Sequence, residues 1–131
     1  MTVQERTALR AVVLPAGYPI PADAPTNRLL NDLGMEVASA GSTSEAFRYL
    51  TDEPTDIFVV DVAESPENMD MVGRLPELRA DRRPRNLAIF SDHRDDRLDK
   101  VRAQMTSTRV HVFLKPLHMH GLLNVLRKLQ N

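Results

Sequence analysis

Ile57-Phe58-Val59-Val60-Asp61 is the stretch that decides the fold: four consecutive large apolar residues followed at once by a carboxylate. An unbroken Val/Ile/Phe run this short fits a strand buried on both faces, as in a parallel sheet covered by helices. Three more runs repeat it. Ala11-Val12-Val13-Leu14 leads into Pro15-Ala16, Leu87-Ala88-Ile89-Phe90 into Ser91, and Val110-His111-Val112-Phe113-Leu114 into Lys115-Pro116. In a parallel α/β sheet the carboxyl ends of the strands converge on one crevice, and ligands bind there. An aspartate, a hydroxyl and a lysine gathered at that edge make a phosphorylation-type site, to which the first run adds only proline and alanine.

Between the runs the pattern changes to helices. Leu29, Leu30 and Leu33 mark a helix that stops at Gly34, a residue suited to a left-handed C-terminal cap, while Pro19, Pro21 and Pro25 blur its start. Met35 to Ala40 alternates as a second strand. Ser42-Thr43-Ser44-Glu45 is a capping box for a helix through Ala46, Phe47 and Leu50 that ends before Pro54. The segment from Val62 to Arg85 holds a third helix around Val72, Leu75 and Leu78, which Pro76 either interrupts or begins. Leu98, Val101 and Met105 form the apolar stripe of a fourth helix, and Met119, Leu122, Leu123, Leu126 and Leu129 that of a fifth. Five strand-helix units of this kind predict an α/β sandwich with helices on both faces of the sheet.

With 131 residues, 42% of them hydrophobic, the chain fits one domain spanning 1–131 with its core between about 10 and 130. A formal net charge of -1 supplies no bulk attraction to nucleic acid or to an anionic membrane. The absence of cysteine excludes disulfides and thiolate zinc sites. No stretch reaches the roughly 18 to 20 apolar residues of a membrane span, and Met1 to Arg6 lacks an apolar signal core, so a cytoplasmic location is expected. His118 and His120, two apart, face different directions on a helix, which argues against a shared metal. Arg79, Arg82, Arg83 and Arg85 cluster, but Asp81 dilutes them, Pro84 suggests a loop, and no aromatic side chains interleave for base stacking. A solvated connection without nucleic-acid contact is the expectation.

From about Arg10 to Gln130 the sequence resembles the receiver domain of bacterial two-component response regulators. The resemblance is carried by Leu33-Gly34-Met35-Glu36-Val37, Ser44-Glu45-Ala46, Thr55 to Val62, Ser91, and Phe113-Leu114-Lys115-Pro116-Leu117. It implies a flavodoxin-like, CheY-like three-layer sandwich with strand order 2-1-3-4-5 and five helices. It also implies roles. Asp61 takes the position that accepts a phosphoryl group from a phosphohistidine donor, Ser91 the position that bonds its oxygens, and Lys115 the cation that pairs with it, the isomer of the Lys115-Pro116 bond being left open. A transferring phosphoryl group spreads negative charge over its oxygens, so donors and cations must be aimed at it beforehand. The implied partners are a histidine kinase, a phosphotransfer protein or an output domain, with a homodimer through the fourth helix, fifth strand and fifth helix. The implied role is signalling, not enzymatic turnover.

The departures from the family redirect this expectation. Where receivers place two acidic residues that position magnesium, this chain has Pro15 and Ala16, and magnesium requires an octahedral shell of oxygens. Without a firmly held metal the transfer loses its main neutralising charge. Asp92 follows Ser91 where a small residue is usual, and its carboxylate would either repel an incoming phosphoryl group or replace a missing ligand. Val112 stands where many receivers carry an aromatic switch residue, and the loop from Ala63 to Asp70 lacks the usual Met-Pro turn and glycine pattern. The expectation is a pseudo-receiver, similar in style to the pseudo-receiver halves of antitermination regulators, that needs no cofactor and whose Asp61 is at most a weak metal ligand. Asp61 and Lys115 then form a relic ion pair. The alternative is a working phosphoacceptor with Mg2+ held by Asp23, Glu64 or Asp92. Whether the chain is a whole protein or one domain of a longer one stays open.

Overall fold

The computed structural model describes residues 9–15, 25–63, 65–114 and 119–130. Five parallel strands, β1 (Arg10–Leu14), β2 (Glu36–Ser39), β3 (Ile57–Asp61), β4 (Asn86–Ser91) and β5 (Arg109–Leu114), form one sheet in the order β2-β1-β3-β4-β5. The helices α1 (Pro25–Asp32), α2 (Thr43–Asp52), α3 (Pro66–Arg74), α4 (Asp96–Gln104) and α5 (Met119–Gln130) connect or follow them. This is the five-stranded, five-helix flavodoxin-like sandwich that the sequence implied.

Strand periodicity divides the core in two. Successive side chains of a strand point to opposite faces, so Val12, Leu14, Phe58, Val60, Leu87 and Ile89 join α2, α3 and α4 through Leu50, Val72 and Val101. The alternate residues, Ala11, Val13, Ile57, Val59, Ala88 and Phe90, meet α1 and α5 through Leu30, Leu122 and Leu126. Both faces of the three central strands are therefore dry, which is why their sequences are unbroken apolar runs. Each fully buried side chain of this size contributes roughly 1.5 to 3 kcal/mol of burial free energy.

Local signals set the ends of the elements. Gly34 has φ 82°, a left-handed conformation that lets the Met35 N–H reach back to the Leu30 carbonyl at 3.1 Å and close α1. Ser42 caps α2 by accepting from the Glu45 N–H at 3.1 Å, and Glu45 Oε1 accepts the Gly41 N–H at 2.8 Å, a capping box reaching one residue further back than the usual one.

The third helix corrects the sequence reading. It begins at Pro66, with Ser65 as N-cap accepting from the Asn68 N–H at 3.4 Å, and ends at Arg74, after which Leu75–Glu77 makes a single 3₁₀ turn. Pro76 sits in that turn instead of opening the helix. The segment from Pro66 to Asp70, read as loop, is helical because a serine followed by proline supplies both the capping oxygen and the fixed φ that a first turn needs.

At the amino edge of the sheet, opposite the strand ends considered below, Arg10 is 8% exposed and serves three acceptors. Its Nη1 donates to the carbonyls of Tyr49 and Glu53 and to Thr55 Oγ1, each at 3.0 Å, and its Nε stands 3.3 Å from Glu53 Oε2. The carbonyls at the end of α2 have no helical partner, so a buried guanidinium fastens this helix to β1.

Candidate functional site

β3 and β4 pair with Asp61 opposite Phe90, and β4 and β5 with Ser91 opposite Leu114. Asp61 and Ser91 are therefore the last residues of neighbouring strands, offset by one step, which puts their Cα atoms about 6 Å apart from strand spacing and rise. β1 pairs Leu14 with Val60, so Pro15 emerges beside Asp61. The structure thus brings Pro15, Asp61 and Ser91 to one edge, as the strand pattern required. Lys115 and Ala16 lie outside the described residues, as do Pro116, His118, Asp23 and Glu64.

Asp61 is half-buried, and its Oδ1 accepts the Ala63 N–H at 3.0 Å, a turn in which an aspartate bonds its own backbone two residues on. The Val62 N–H continues the ladder to the Phe90 carbonyl at 2.9 Å, so the chain stays pinned to β4 one residue past the strand.

Asn68 is the residue that sequence reasoning missed. It is 5% exposed, in the first turn of α3, and its Nδ2 donates to the Pro15 carbonyl at 3.0 Å and to the main-chain carbonyl of Asp61 at 2.8 Å. The signal that finds it is the Ser65-Pro66 helix start, because that start fixes which residue of the segment stands under the strand ends.

Ser91, 1% exposed, donates its hydroxyl to the His93 carbonyl at 2.7 Å and accepts the His93 N–H at 3.4 Å. The next residue, Asp92, is exposed, and its Oδ1 lies 2.6 Å from His93 Nδ1. A carboxylate only accepts, so Nδ1 carries the proton in this contact. His93 Nε2 stands 3.7 Å from Asp95 Oδ2, and Asp95 caps α4, accepting the Arg97 N–H at 2.9 Å and its Nη2 at 2.7 Å. The Arg97 guanidinium, then its backbone N–H, holds the Asp95 carboxyl down at about 2. The β4 to α4 loop is therefore a chain of short-range polar contacts running from Ser91 to Arg97.

Among the described residues no group of three or more His, Asp or Glu side chains is placed to hold a metal ion. Among the described residues at the strand ends, Pro15 presents a carbonyl that accepts an Asn68 amide N–H and Asp92 is engaged with His93, so beside Asp61 no other carboxylate is offered to magnesium. The arginine cluster is largely spent on the fold. Arg79 pairs with Asp81 at 2.6 Å, Arg82 Nε donates to the Thr51 carbonyl at 2.9 Å, and Arg83 Nη2 donates to the Pro76 carbonyl at 2.7 Å.

A second feature lies along β5. Val112 is half-buried, and Leu114, at 42% exposure, is the one exposed large hydrophobic among the described residues. With Leu98 they line a shallow cleft against α4, bordered by Arg94, Asp96 and Arg102. No helix among the described residues is long and apolar enough to cross a membrane.

No protein-family model matches the sequence, and no curated protein matches it either. Solved structures do. A CheY-like response regulator receiver domain from Methylobacillus flagellatus is similar at a TM-score of 0.65 and 16% identity, over 94% of this chain and 99% of that one. A response regulator receiver protein from Pseudomonas putida gives 0.65 and 17%, over 95% and 99%. A response regulator from Thermotoga maritima gives 0.59 and 24%, over 93% and 97%. The chain has the fold of receiver domains across nearly its whole length, at identities that speak to fold alone.

Proposed function

We propose that this chain is a receiver-type signalling domain that does not work as a phosphorylation switch and acts as a protein-interaction module. One observation carries the reading: at the end of β1, where receivers place their metal-positioning acids, Pro15 offers only a backbone carbonyl, and that carbonyl is taken by Asn68 Nδ2 at 3.0 Å. Phosphoryl transfer to a carboxylate brings negative charge onto negative charge, and a divalent cation ordinarily neutralises it. Here phosphorylation of Asp61 is slow or absent. Ser91, whose hydroxyl is committed to His93, supports the same reading.

The interaction surface is the face built from α4, β5 and α5, where Leu114 and the half-buried Val112 stand beside charged residues of α4. Its partner is another signalling protein: a histidine kinase, a phosphotransfer protein, an output domain or a second copy of the chain. The setting is cytoplasmic, the action is non-enzymatic, and neither nucleic acid nor membrane is contacted directly.

A working phosphoacceptor is the second reading, and the adjacency of Asp61 and Ser91 at neighbouring strand ends favours it. In it, a phosphohistidine donor passes its phosphoryl group to an Asp61 carboxylate oxygen, forming an acyl phosphate and leaving neutral histidine, with Lys115 as the pairing cation. The deciding experiment is incubation with Mg2+ and acetyl phosphate, or with beryllofluoride, followed by backbone NMR and intact mass. The first reading expects no Asp61-dependent change at millimolar reagent. Stoichiometric phosphate that disappears in Asp61→Asn establishes the second.

A further inference from the structure

The Asn68 side chain stands between the ends of β1 and β3. Its two amide hydrogens serve Pro15 O at 3.0 Å and Asp61 O at 2.8 Å. Both acceptors are carbonyl oxygens, so only the NH2 half of the amide can occupy this place, and its orientation follows from chemistry. The residue is 5% exposed and fixed at its own backbone, with its N–H on Ser65 Oγ at 3.4 Å and the next N–H, of Met69, on the Ser65 carbonyl at 3.1 Å. It spans 53 residues of sequence to reach Pro15.

A hard cation bound between two strand ends gathers carbonyl and carboxylate oxygens around a positive centre. The Asn68 amide presents the positive end of a dipole to the same kind of oxygens, without net charge and without leaving the chain. For a cation to take the place, the buried amide must swing out, its own NH2 losing both acceptors, and the cation must shed water to bind the same two carbonyls.

We propose that Asn68 is a built-in substitute for a divalent cation, tying β1 to β3 so that this edge of the sheet keeps one geometry whether or not Mg2+ is present. The inference deepens the reading of Asp61 as non-switching and rests on it for the claim that no phosphoryl group has to enter. Asn68 is a positioning residue: it acts on the edge that carries Asp61 and touches no reactant.

The test uses the full chain as wild type and as Asn68→Asp, which exchanges the donor for a carboxylate facing the same two carbonyls. Backbone NMR is followed while Mg2+ alone is raised to tens of millimolar, and then with beryllofluoride added. The expected result is no saturable Mg2+ shift at the Val62, Ala63 and Ser91 amides of wild type, and in Asn68→Asp either a saturable shift at those amides or folding that requires Mg2+. A saturable response of wild type to Mg2+ alone overturns the inference, as does a folded Asn68→Asp that ignores Mg2+. A wild-type response that appears only when beryllofluoride joins Mg2+ overturns the non-switching reading and leaves the resting tie standing, so the two failures are separable.

Discussion

Ser91 donates its hydroxyl to the carbonyl of His93 at 2.7 Å, and the His93 N–H returns to Ser91 Oγ at 3.4 Å. The last residue of β4 thus folds its own following loop back onto itself. Ser91→Ala removes both bonds at a site that is 1% exposed. The expected cost is about 1 kcal/mol, with faster hydrogen exchange at the His93 amide and unchanged exchange in β1. Ser91→Thr, which keeps the hydroxyl, retains the protection.

Arg10 ties β1 to the end of α2 with one buried guanidinium serving Tyr49, Glu53 and Thr55. Arg10→Met keeps the apolar stem and strips all three acceptors of their donor. A loss of about 2 to 4 kcal/mol follows, read as a lower urea midpoint at unchanged slope. Arg10→Lys recovers only part of it, because a single ammonium cannot span the three acceptors with the planar fork of arginine.

His111 sets a pH dependence. Burial, and then Lys128, Arg102 and Arg109, push its pKa below the ordinary 6.5. The unfolded chain therefore takes up this proton at higher pH than the folded one. Stability falls as pH drops through about 6.5 and levels off below the folded value. Urea midpoints measured from about pH 7.5 down to about pH 5 show the decline in wild type and a flatter curve in His111→Gln, which keeps a polar group near Asn86 Oδ1, 3.4 Å from the ring nitrogen.

Asp95 acts in the opposite range. Its carboxyl, held down to about 2 from 3.8, stabilises the fold above the unfolded value. That contribution is lost as pH falls from about 4 toward 2. Asp95→Asn removes this segment of the acid titration and loosens the hold on the Arg97 guanidinium, while the asparagine oxygen still caps α4, so helix protection at neutral pH changes little.

Gly121 in α5 meets Phe113: a Cβ added there would stand 2.9 Å from Phe113 Cε1. That ring packs edge-on against the buried Phe90, with centroids 5.9 Å apart, so it has little room to retreat. Gly121→Ala gains about 1 kcal/mol of helix propensity and loses about 1 to 3 to overpacking. A net destabilisation of about 1 kcal/mol is expected, with shifted aromatic resonances of Phe90 and Phe113.

The sheet and its polarity were legible from the order of residues alone. The middle of a strand covered on both faces is apolar, so Ala11 to Leu14, Ile57 to Val60 and Leu87 to Phe90 announce themselves without reference to anything distant, and the residues that end them follow by position. Asp61 and Ser91 were legible for that reason, and so were the Gly34 cap and the Ser42 box, whose causes lie within a turn of chain. What occupies the crevice depends on contacts between distant parts of the chain. Asn68 reaches Pro15 across 53 residues and Arg10 reaches Glu53 across 43, and no local pattern encodes either pairing. Register and packing bring those groups within hydrogen-bond distance, so a residue that reads as one polar member of a loop becomes the donor that closes the edge of the sheet.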